Sequence, residues 1–380
     1  MSTRRDFLKH GAIGAVAAAS GWSAFGATTA RGAPPGIGYG PLGAPDANGV
    51  RLPERFSARL LAKTGEPVVG TEYDWHGQPD GAGTFPTTDG GWVLASNSEL
   101  NGTSGGASAI RFGADGNPVS AYRILSGTKW NCAGGVTPWG TWLSCEEFRN
   151  GLMWECNPFL SSQGVSRPAM GVFIHEAAPV DPRTGFVYLT EDDYDSPLYR
   201  FRPATYGDLR SGVLEAASVF ANGAVTWKAV SPKRPYRGKD VTPFQRSEGA
   251  WINRDVLYFT TTADDRVWSL DLVSMRMEMI YDGLGANASD ILHDPDNITV
   301  HRQTGDLFVA EDPGDLQLVQ LVNTQSGWVA APFLQLAGHD GSEVTGPVFS
   351  PDGLRLYVTS QRGIDGDGMT FEVTGPFARR

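Results

Sequence analysis

Acidic residues recur at two fixed places in a repeated pattern of this chain, and that placement defines the chemistry open to them. They open a leading strand at Asp74, Glu176, Glu248, Asp296 and Glu343. They close the returning strand at Glu99, Glu146 or Glu147, Glu191, Asp192 and Glu311. The first residue of one strand and the last of the next lie at the same end of an antiparallel hairpin. Carboxylates gathered this way repel one another, by about 4 kcal/mol for two unit charges 4 Å apart at an effective dielectric of 20. Hard cations such as Ca²⁺, which take about six to eight oxygen ligands, would neutralise such a group. A solvated acidic face is the other reading. Glu147, Glu248, Glu311 and Glu343 stand within two residues of Gly, Cys or Pro, a setting that suits a packed site, where an unpaired carboxylate is costly.

The elements that must position these acids are hairpins. Each copy is a strand, a turn containing Gly or Asp-Gly, and a second, more aromatic strand. The copy from Glu176 to Glu191 is the clearest, and relatives begin at Cys132, Glu248, Asp296 and Glu343, with a looser one led by Asp74 and Trp75. Second strands are expected to start near 92, 142, 187, 257, 307 and 356. A period near 40–50 residues with several strands per unit predicts an all-β fold, a β-propeller of six blades. The long step between 187 and 257 contains an insertion around Ser211 to Arg246. A propeller brings equivalent strand ends to one axial mouth. Asp181, Asp255, Asp306 and Asp352 fall at the opposite end of the hairpins and read as turn formers. The expected divisions are residues 1–30, a Pro/Gly-rich lead-in over 31–70, and a single propeller over 71–380.

The first thirty residues carry Arg4-Arg5-Asp6-Phe7-Leu8-Lys9 and then an uncharged Ala/Gly-rich stretch. This is a twin-arginine export signal, with cleavage after Ala30 or Ala33. It implies a periplasmic or secreted protein and the twin-arginine translocase as a transient partner. The stretch is too short and polar for a stable membrane anchor. The formal charge of −11 falls to −13 once Arg4, Arg5, Lys9 and Asp6 are removed. An acidic surface excludes nucleic acid as a partner. Of three cysteines, Cys145 and Cys156 form a possible disulfide, which would leave Cys132 a free thiol protected by burial or by a metal. The histidines make no paired metal motif; His175, beside Glu176, is the one placed to assist at the mouth.

The segment Asn131 to Glu147, reading Asn-Cys-Ala-Gly-Gly-Val-Thr-Pro-Trp-Gly-Thr-Trp-Leu-Ser-Cys-Glu-Glu, resembles the PhoX-type alkaline phosphatases. The resemblance continues through Thr190-Glu191-Asp192, Arg246-Ser247-Glu248-Gly249, Asp296-Asn297, Ala310-Glu311-Asp312 and Glu343 to Pro347. It implies a propeller with an iron–calcium cluster (Fe³⁺ and Ca²⁺) that hydrolyses small-molecule phosphate monoesters. By that resemblance Cys132 is an iron ligand through its thiolate. Glu147, Glu248 and a further glutamate would hold iron and calcium, with Glu191, Asp192, Asp296, Asn297, Glu311 and Glu343 completing the metal set. Arg246 would contact phosphate, since its guanidinium offers a planar fork to phosphate oxygens. Lys129, just before the cysteine motif, is either a phosphate partner or a surface lysine. Two alternatives stand beside this: a calcium-dependent propeller lactonase or phosphotriesterase, and a non-catalytic propeller with structural metals.

Overall fold

A computed structural model describes residues 37–285 and 291–378. The twin-arginine segment and both cleavage points lie outside the described residues. Six antiparallel sheets follow one another in chain order. Blades 1 to 6 span residues 79–128, 131–166, 175–229, 247–282, 295–336 and 344–374. Their second strands begin at Trp92, Trp142, Val187, Val256, Leu307 and Arg355, as the aromatic, β-branched repeat predicts. The protein is a six-bladed β-propeller, with no α-helix among the described residues. None of the helical turns described is long and apolar enough to cross a membrane.

The segment expected as a lead-in supplies two strands to the sheets. Val50–Arg51 pairs with Gly327–Leu336 at the edge of blade 5. Ser57–Lys63 pairs along Met369–Thr374 and forms the outermost strand of blade 6. The ring is therefore closed by a sheet built from both ends of the described chain. Leu61 of this strand is fully buried, in a cluster with Val68, Trp75, Trp92 and Tyr357. Leu61→Ala is expected to lower unfolding free energy by about 2–5 kcal/mol in urea titration, the range for a cavity left in a packed core. A loss below about 1 kcal/mol would deny the closing strand its role.

The inner strands share a local irregularity that matters for the mouth. In blade 1, Pro79 pairs with Ser98 but Ala82 with Ser96, so one extra residue is inserted. The same bulge occurs between Asn131 and Gly134, Ser247 and Ala250, Pro295 and Ile298, and Thr345 and Val348. A bulge bends its strand and re-aims the side chains within it. In blade 3 the inner segment is held by single bridges, His175 to Glu191 and Val180 to Val187. The first residue of the irregular stretch, directly after the last residue paired ahead of it, is then Asp80, Cys132, Glu176, Glu248, Asp296 or Gly346, one for each blade. Beneath it small residues line an axial cavity, among them Gly81, Ala133, Ala177 and Gly249. A Cβ on Gly81 would lie 2.5 Å from the Cα of Ala133, and one on Gly249 would lie 2.7 Å from the Cα of Asn297. Blades meet at the axis backbone to backbone, and only glycine fits these two places.

Candidate metal centre

The bulge residues converge. Cys132 Sγ donates to Glu176 Oε1 at 3.2 Å, although the two residues are 44 apart in the chain. Three groups of potential ligand atoms form, each with all its atoms within 4.8 Å of one another: Cys132, Glu147 and Glu176; Glu176, Glu248 and Asp296; Asp296, Asp312 and Glu343. Because Glu176 and Asp296 each belong to two groups, the seven residues make one continuous arc over blades 2 to 6. All but Glu147 are buried.

Burial and charge make this arc unfavourable as protein alone. Glu176 is fully buried and its Oε2 has no hydrogen-bond partner among the described residues. Its pKa is raised well above the usual carboxylate range, first by desolvation and then by Glu248, Glu147, Asp296 and Asp80. The Cys132 thiol is likewise pushed well up, first by burial and then by the charges of Asp80 and Glu176. Cations would reverse both effects by favouring the charged forms.

The acidic pairs at the ends of second strands divide by parity, since successive side chains in extended chain point to opposite faces. Glu147, Asp192 and Asp312, the second members, face the mouth side. The first members turn inward. Glu146 accepts the backbone N–H groups of Lys129 and Leu152 at 3.3 and 3.2 Å. Glu311 accepts those of His293 and Gln317 at 3.0 and 3.1 Å, and burial pushes it up to about 8. Glu191 receives both terminal nitrogens of Arg237 at 2.9 and 2.7 Å and the Tyr199 hydroxyl at 3.0 Å. Neither Glu191 nor Glu311 belongs to a ligand group among the described residues. Asn297 bridges blades, donating to Asp296 Oδ1 at 2.9 Å and accepting the Gly346 N–H at 2.8 Å.

Arg246 stands at the arc. Its Nε and Nη2 reach Asp192 at 2.7 and 3.1 Å, and Nη2 reaches Glu248 Oε1 at 2.8 Å. Its backbone is left-handed, with φ of 58°, and is fixed by bonds from its N–H to Asp193 O and from Thr262 N–H to its own carbonyl. Lys129 is half-buried, its Nζ 4.0 Å from the centre of the Phe148 ring. His175 bonds Gly171 O at 3.1 Å, and burial lowers it to about 4, so its ring is neutral. Asp74 is exposed, beside Tyr73 and His76 on the rim of a separate groove.

All three cysteines are free thiols. Cys145 pairs with Met153 and Cys156 with Trp142 on adjacent strands. That three-residue offset puts the two thiols on opposite faces, one in the core cluster with Leu189 and the other in that with Phe85.

Sequence reasoning placed Glu176 among the gathered acids without selecting it as a ligand, and did not select Asp80, Asp312, Gln361 or Arg362 as site residues. Gln361 Nε2 links Asp80 at 2.5 Å to Glu99 at 2.8 Å. Arg362 holds Glu343 at 2.6 Å. Asp80-Gly81 repeats the Glu248-Gly249 pattern, which was the available signal for Asp80. Asp312 was available from the parity it shares with Glu147.

Fold and mouth together define a six-bladed propeller with an axial centre of one thiol and six carboxylates. The signature described as Alkaline phosphatase PhoX matches residues 94–157 and 149–271, which supports the resemblance to the PhoX-type family. The protein shares its fold with PhoX of Pseudomonas fluorescens, solved in complex with vanadate, a transition state analogue, at 17% identity and a TM-score of 0.70, over 87% of this chain and 97% of that one. A gluconolactonase from Xanthomonas campestris is also similar, at 13% identity and a TM-score of 0.50, over 89% of this chain and 99% of that one. A search of curated protein sequences finds no match.

Proposed function

We propose that this protein is an exported phosphatase that hydrolyses small-molecule phosphate monoesters at a metal centre in the propeller mouth. The observation that carries the reading is the arc of seven buried or half-buried donors with the Arg246 guanidinium on it. The donor set fits an iron–calcium cluster. A buried carboxylate oxygen on Glu176 has no hydrogen-bond partner among the described residues, and one thiol among carboxylates combines a soft donor with hard ones. Cys132, Glu147 and Glu176 would hold Fe³⁺. Glu176, Glu248, Asp296, Asp312 and Glu343 would hold Ca²⁺. Bound ions supply Lewis acidity toward the phosphoryl group and neutralise charge that develops on it.

The chain's own part is binding and orientation. Arg246 presents a rigid fork to phosphate oxygens from a backbone fixed on both sides. Lys129, held against Phe148, adds a cation near the end of the strand that carries Glu147. The twin-arginine segment supports export through that translocase and a periplasmic or secreted location, with residues 1–30 removed.

The test is hydrolysis of p-nitrophenyl phosphate by protein exported from a bacterial host, with metal content measured alongside. Turnover is expected to require calcium and to vanish on chelation. Cys132→Ser is expected to lose iron and to cut turnover by about a hundredfold or more. Full activity in a chelator, or in the serine variant with unchanged iron, would overturn the assignment. Lactone hydrolysis that survives Cys132→Ser would identify the lactonase reading instead.

A further inference from the structure

The donors of the arc come from different blades, so something must set the spacing between blades at that level. One position does so. It is the residue of each second strand that lies opposite the irregular stretch of the inner strand, which in five blades is the bulge. The six occupants are Asn97, Cys145, Thr190, Thr260, Ala310 and Val358. Three are apolar or a thiol in the core. The three polar ones are fully buried, and each donates across a blade boundary to the backbone carbonyl of a donor residue. Asn97 Nδ2 reaches Cys132 O at 2.9 Å, Thr190 Oγ1 reaches Glu248 O at 2.5 Å, and Thr260 Oγ1 reaches Asp296 O at 2.6 Å.

The two threonines form a continuous stitch. Thr190 Oγ1 also accepts the N–H of Ala177, the residue after Glu176, at 2.9 Å. Thr260 Oγ1 also lies 3.2 Å from the carbonyl of Gly249, the residue after Glu248. Thr190 thus ties Glu176 to Glu248, and Thr260 ties Glu248 to Asp296. These are the three members of the central ligand group. Filling the space between blades does not require a hydroxyl, because Val358 and Ala310 occupy the same position elsewhere in the ring.

We infer that Thr190 and Thr260 are positioning residues for a divalent cation held by Glu176, Glu248 and Asp296. They fix the backbone from which the carboxylates reach, so that ligand spacing is set before the ion arrives. Preorganised ligands need little ordering when the ion binds, which raises affinity. The inference rests on the metal centre proposed above and adds the residues that tune it.

The test uses calcium alone. As-purified protein is equilibrated against a graded series of calcium buffers, and retained calcium is counted by mass spectrometry. The free-calcium midpoint is expected to rise about fivefold in Thr190→Val and in Thr260→Val, which is the equilibrium equivalent of about one net buried hydrogen bond. Thr260→Ser, which restores the hydroxyl, should return to within about twofold of the parent. Thermal unfolding in saturating calcium is run in parallel. Midpoints within about twofold of the parent in both valine variants, whatever their thermal stability, would overturn the inference. Should Thr260→Val fail to fold, Thr190→Val and Thr260→Ser decide it. Retained calcium that responds to the hydroxyls in a protein without phosphatase turnover would sink the phosphatase reading and leave the positioning role standing. Vigorous turnover with unmoved midpoints would do the reverse. A parent protein that holds no calcium would remove the inference altogether.

Discussion

Glu176→Gln is expected to reduce phosphate monoester turnover by about a thousandfold or more and to release both iron and calcium. Glu176 belongs to two of the three ligand groups and touches the Cys132 thiol. It is the hinge of the arc, so its loss acts on both sides. The amide keeps the size of the side chain and can still accept through one oxygen, but it carries no charge. In the metal-free protein this substitution costs little, because burial and four neighbouring carboxylates already favour the neutral form of Glu176, which the amide mimics. The variant should therefore be about as stable as the parent without metal and lose the stabilisation that calcium gives the parent. A ligand that binds only the folded state adds about 2.7 kcal/mol at a hundred times its Kd. Thermal scans with and without calcium, beside elemental analysis, separate this from simple unfolding. A variant with parental metal content and rate would show that Glu176 is not a ligand.

Arg246→Gln is expected to raise KM for a phosphate monoester and to weaken inhibition by inorganic phosphate, each by about tenfold or more, with a fall in kcat of about a hundredfold. Charge-assisted bonds from a guanidinium to an oxyanion are stronger than neutral ones and act most where charge develops. The guanidinium now rests on Asp192 and Glu248, two acids that hold it at the mouth. Removing it leaves those acids closer to full repulsion, so calcium content must be measured in the same samples. Intact metal content with weakened phosphate inhibition supports direct contact with the phosphoryl group. Unchanged inhibition by phosphate would place Arg246 outside the substrate site.

The blade count was legible because each second strand announces itself with aromatic and β-branched residues at a regular step, from Trp92 to Arg355. The gathering of Glu176, Glu248, Asp296 and Glu343 was legible for the same reason, since hairpin topology fixes which ends coincide. Choosing between neighbours was harder. In Glu311-Asp312 both residues are acids at a strand end, and which one faces the mouth depends on the register against Pro295, set by a bulge that leaves no clear mark in composition. Asp80 was hidden because its blade has no hairpin as clean as the others, and Asp74-Trp75 drew attention instead. Arg362 follows the last strand pair of blade 6, where Glu343 reaches the arc from before its strand instead of from the bulge, which Gly346 occupies. The second-strand position that joins the blades, Asn97 or Thr190, looks in sequence like any polar residue in a strand; only the packed neighbour shows what its hydroxyl or amide meets.

The way the last blade is assembled ties ion uptake to completion of the chain. Ser57 and Thr374 lie side by side although 317 positions separate them. Blade 6 also carries Glu343, which shares a ligand group with Asp296 and Asp312 of blade 5. An ion gripped there would clasp two neighbouring sectors of the wheel, and the second of these exists only after synthesis has reached its final strands. Loading and closure should thus be a single cooperative event, late in biogenesis, so that a chain lacking Ser57–Lys63 or Met369–Thr374 forfeits its ions together with its shape.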